Sequence, residues 1–72
     1  MNDEHIVIAE TSKRGFIAER RRRSVGWGTI ARDLMAAGYT ARDFYENPAA
    51  APNSGTIHAS LLIRWARRVG QP

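Results

Sequence analysis

Between residues 27 and 38, Trp27, Ile30, Ala31, Leu34, Met35 and Gly38 recur at intervals of three and four. That spacing puts them on one face of an α-helix and predicts a helix over 27–37. Gly38 ends it, because glycine enters the left-handed cap conformation at little cost. Thr40 followed by Asp43 has the layout of a capping box and opens a short second helix over 40–46. Ala41, Phe44 and Tyr45 can fold back onto the first helix, and Asn47-Pro48 stops the unit. Trp27 and Trp65 are both expected in the core.

The flanks follow the same logic. Pro48 to Gly55, with two prolines and three alanines, reads as a loop. The longest helix is predicted over 55–69, with Asn53 or Ser54 as N-cap. Ile57, Leu61, Leu62, Trp65 and Val69 form its apolar stripe, and His58 falls inside that stripe as a core histidine. Upstream, a helix over 12–23 starts at Thr11 or Ser12 and is apolar only at Phe16, Ile17 and Ala18. It carries six bases, Lys13, Arg14 and Arg20 to Arg23, against the single acid Glu19, and some of its four consecutive arginines must face away from any core. Before it, His5 to Ala9 has the β-branched composition of a strand. A lone strand needs a partner, so residues 1–11 read as a flexible or single-strand N-terminal arm. The expected fold is all-α, a small bundle of about four helices spanning residues 12–72.

Composition narrows the classes. At 72 residues the chain holds one domain with a small core. It has no cysteine and two histidines, too few for a disulfide or an ordinary zinc site. A homodimer is the expected source of extra stability. No apolar run reaches the roughly 20 residues of a membrane span. The start, MNDEH, is acidic where a secretory signal is basic, so a cytoplasmic location is expected. No phosphate-binding glycine loop, Ser/His/Asp set or apolar acid pair is present, so neither enzymatic activity nor a cofactor is expected.

Charge adds a partner. The formal net charge is +4, but the first twelve residues carry three acids and no base. The other sixty hold all eleven bases, ten of them arginine, against four acids. Arginine suits phosphate and guanine contacts. The run Arg20, Arg21, Arg22 and Arg23 is more basic than capping a helix end requires, which suggests phosphate contact. On the last helix, Thr56, Ser60, Arg64 and Arg67 lie opposite the apolar stripe, with Arg68 at its edge, and no acid follows Glu46. A helix with an apolar back and a Thr/Ser/Arg front fits a major groove or a phosphate backbone. Double-stranded DNA is therefore the expected partner.

The segment WGTIARDLMAAG resembles the supporting helix of helix-turn-helix DNA-binding proteins, with Ile30 and Ala31 as the Ile-Ala pair and Leu34 three residues on. The resemblance covers about twelve residues and implies a helix-turn-helix-like core. The short helix after the turn presents Arg42, Asp43 and Glu46, an acid excess that DNA repels, so the basic 56–68 segment takes the reading role. That order is similar to small regulators and accessory factors of bacterial plasmids, phages and integrative elements, in which a loop and a basic helix follow the supporting helix. The implied function is transcription regulation or an accessory role on a mobile element. The alternative is a protein-interaction module, an antiactivator or inhibitor, on the same scaffold. The apolar Ile6 to Ile8 would then meet a protein partner. A ribbon-helix-helix dimer pairing His5 to Ala9 ranks last, since that ribbon offers DNA few polar side chains.

Overall fold

The computed structural model describes residues 3–51 and 55–70, so the expected N-caps Asn53 and Ser54 lie outside it. The fold is all-α. Helix α1 runs Asp3–Arg22, α2 Trp27–Ala36 and α3 Ala59–Arg68, with short 3-10 helices at Ala41–Phe44 and Pro48–Ala50. There is no strand among the described residues.

The first correction concerns the N-terminus. His5 to Ala9 is helical, and α1 runs through Thr11 and Ser12 without a break. A lone strand leaves both of its edges unpaired, whereas a helix closes its own hydrogen bonds. That gain outweighs the slight helix aversion of Ile and Val. The Glu10–Lys13 ion pair, 3.0 Å long and three residues apart, straddles the expected boundary. The arginines in the last turn of α1, Arg20, Arg21 and Arg22, suit the helix dipole. At 1.5 Å per residue α1 is about 30 Å long, and it accounts for most of the molecule's 35 Å longest dimension.

Helix α3 packs against α2 and against the first 3-10 helix. One core joins the three α-helices and the first 3-10 helix: Ile17 from α1, Ile30, Ala31 and Leu34 from α2, Ala41 and Phe44 from the 3-10 helix, and Leu61, Leu62, Trp65 and Ala66 from α3. Phe44 meets Trp65 edge to face, with ring centroids 5.4 Å apart, a favoured aromatic geometry. Ile57 is buried as its periodicity suggested, but from an irregular segment, since α3 begins only at Ala59. His58 is not a core residue: it is the exposed N-cap of α3, and its side chain makes no capping bond. Trp27 is half-buried at the first position of α2, and Met35, at the edge of the apolar stripe, is 43% exposed.

Both α1 and α2 end in the same cap. After α2, the N–H of Tyr39 donates to the Leu34 carbonyl and that of Gly38 to Met35, each at 3.0 Å. This is a Schellman motif with Gly38 at φ +101°. After α1, Val25 N–H donates to Arg20 and Ser24 N–H to Arg21, at 3.1 and 2.9 Å. Here serine takes the left-handed position, at φ +62°. The expected capping box of Thr40 and Asp43 is present, with Thr40 N–H donating to Asp43 Oδ2 at 2.7 Å. The helix it opens is a single 3-10 turn, shorter than the expected 40–46.

Candidate nucleic-acid interface

Helix α3 presents two faces. Leu61, Leu62, Trp65 and Ala66 are buried, while Ser60, Arg64 and Arg67 are exposed on the opposite side. Neither Arg64 nor Arg67 has a hydrogen-bond or ion-pair partner among the described residues. Arg68 lies at the edge of this face and reaches Glu46 Oε1 at 4.0 Å, with the two side chains 40% and 76% exposed. A pair that long and that wet contributes little. Thr56 is also exposed, but it precedes the helix and does not share its face by helical register.

Arg64 and Arg68 are one turn apart and border a cleft of about 200 Å³ between α3 and the 44–50 segment. Phe44, Trp65 and Ala50 supply apolar wall, and Tyr45, Glu46 and Asn47 complete the lining. Sequence periodicity does not show this cleft, because the 44–50 segment has no regular register.

The arginine run also makes contacts within the fold. Arg20 is half-buried, donates to Asp33 at 3.4 Å and to Glu19 at 3.1 Å, and lies 4.4 Å from the Phe16 ring centroid. Arg21 donates to the Val25 carbonyl at 3.0 Å and stacks over Trp27 at 4.9 Å. Arg22 and Arg23 both pair with Glu19, at 2.9 and 3.2 Å, while staying 75% and 65% exposed. So Arg20 and Arg21 tie α1 to α2 and its connection, Arg20 half-buried and Arg21 exposed, while Arg22 and Arg23 are exposed and share Glu19 as a partner.

Lys13 is the base that the core takes in among the described residues. It is 5% exposed. Its ammonium donates to the Asp43 carbonyl, pairs with Glu10, and sits 5.0 Å from the Phe44 ring centroid and 5.5 Å from that of Trp65. Two aromatic faces, a carboxylate and a carbonyl together replace its water. The signal in the sequence is its register: Lys13, Phe16, Ile17 and Arg20 share one helical stripe.

Compared with protein-family models, curated proteins and solved structures, the chain gives no significant match.

What the site offers is therefore read from its own chemistry. The exposed side of α3 carries guanidinium and hydroxyl donors and no acid. Among the described residues no three His, Cys, Asp or Glu side chains gather as metal ligands, and no helix is long and apolar enough to cross a membrane. Guanidinium and hydroxyl donors of this kind can hydrogen-bond the oxygens of an anionic group.

Proposed function

We propose that this protein is a small DNA-binding regulator or accessory factor of a bacterial operon or mobile element, acting in the cytoplasm as a homodimer on double-stranded DNA. The observation that carries the reading is the outer face of α3, where Ser60, Arg64 and Arg67 are exposed and neither arginine has a side-chain partner among the described residues. An arginine held by an internal acid must give up that pair before it meets a phosphate; these two need not. Arg22 and Arg23 are the candidates for further phosphate contact, since both stay well exposed and share the one carboxylate of Glu19. Arg68 adjoins the cleft, and Thr56 lies beside the start of the helix.

In this reading α2, the turn at Gly38 and the 3-10 helix form a shortened helix-turn-helix-like core. Its second element is too short and too acidic to enter a groove, and α3 takes over that role. The experiment is duplex binding by the parent and by the double variant R64A/R67A. Both positions are exposed, so the fold is retained while affinity falls.

One observation favours the alternative of a protein-interaction module: the internal engagement of Arg20 and Arg21. Half of the arginine run holds the fold together, as it would in a scaffold that never meets DNA. A parent protein that binds no duplex at low salt would select this reading.

A further inference from the structure

We propose that the cleft between α3 and the 44–50 segment seats one sugar–phosphate unit of the DNA backbone. The proposal rests on the DNA-binding reading above and separates the arginines of α3 by task. Arg64 and Arg68 stand one turn apart at the mouth of the cleft. Two like charges at that spacing repel each other, and an anion placed between them relieves the repulsion. Arg64 has no partner among the described residues, and Arg68 has only the loose contact with Glu46 at 4.0 Å. Both guanidinium groups are available for the forked hydrogen bonds that bind phosphate oxygens.

The rest of the cleft selects what comes with the phosphate. Its volume, about 200 Å³, exceeds that of a lone phosphate, and its walls include Phe44, Trp65 and Ala50. The edge-to-face packing of Phe44 on the fully buried Trp65 makes that wall rigid. Glu46 also lines the cleft, but two arginines against this one exposed carboxylate leave the site net cationic, and a cationic edge on an apolar wall suits the C–H faces of a deoxyribose with its phosphate outward. Half-buried Tyr45 and exposed Asn47 are the remaining polar side chains at the site besides Glu46. Arg67 does not line the cleft. On the helical wheel it leans away from Arg68, which leaves it, with Ser60, to face the groove.

The test is fluorescence anisotropy of a labelled duplex with the full chain across a salt series, for the parent, R68A and A50L. Ala50 is exposed, so leucine there fills the mouth without entering the core and leaves every charge in place. Thermal melts confirm that each variant is folded. R68A and A50L are both expected to bind more weakly on every sequence, each with a log–log salt slope reduced by roughly one. In A50L that reduction cannot come from a lost charge. If the parent binds but A50L matches it in affinity and slope, the cleft assignment is overturned while the DNA-binding reading stands. If the parent binds no duplex at low salt, both fall. A parallel titration with thymidine monophosphate, followed by tryptophan fluorescence, is expected to show no saturation. Saturable micromolar binding would assign the cleft to a free nucleotide instead and overturn the backbone seat.

Discussion

Lys13 is the single lysine beside ten arginines, and it is the charged side chain that the core takes in. Its stem fills space between α1 and the Phe44–Trp65 pair while its ammonium satisfies the Asp43 carbonyl. Lys13→Ala removes the filling and orphans that carbonyl, so it is expected to cost about 2–4 kcal/mol. Lys13→Met keeps the volume and sets a thioether against two rings, for an expected loss under about 1.5 kcal/mol. Urea melts of the two variants check this, and equal losses would mean that the charge matters more than the packing. Among the aromatics, Trp65→Ala is expected to cost about 3–5 kcal/mol. Trp27→Ala should cost clearly less, since Trp27 is half-buried under Arg21. Trp65 was legible in the sequence because it sits mid-stripe in a strong helical period. Lys13 was not, because its burial depends on partners contributed by two other elements.

Helix ends were more legible than helix starts. Gly38 was readable as a left-handed cap because its residue type announces the conformation, and it adopts φ +101°. Ser24 takes the same position at φ +62°, and nothing in its type says so. Ser24→Gly is therefore expected to raise stability by about 0.5–1 kcal/mol, and Gly38→Ala to lower it by about 1–2 kcal/mol. No neighbour crowds a β-carbon built on Gly38, so the second cost is conformational. Melting temperatures that move in opposite directions would bear this out; a shared direction would contradict the paired caps. The Thr40–Asp43 box was legible because it is local. The start of α1 is not legible in its residues, because propensity favours a strand there that has nothing to pair with. The start of α3 is not legible either, because Ile57 keeps the helical period while lying in the irregular segment before Ala59.

At the scale of the whole molecule, the all-α class was legible from periodicity, and the distribution of charge was only half so. The sequence sorts acids to the front and arginines behind, but it does not say which arginines are spent internally. Glu19 and Asp33 engage much of the 20–23 run, whereas Arg64 and Arg67 on α3 have no such neighbour among the described residues. The central claim is that this outer face of α3 meets DNA, and the salt dependence of duplex binding by the parent and by R64A/R67A tests it most directly. The parent is expected to bind at low salt, with log K falling linearly against log salt. R64A/R67A is expected to melt like the parent and bind more weakly. If both arginines contact phosphates its slope falls by about two; if Arg67 instead reads a guanine, the slope falls by about one and a further 1–3 kcal/mol is lost on the specific site alone. A folded R64A/R67A that binds with the parent's affinity and slope would contradict the account.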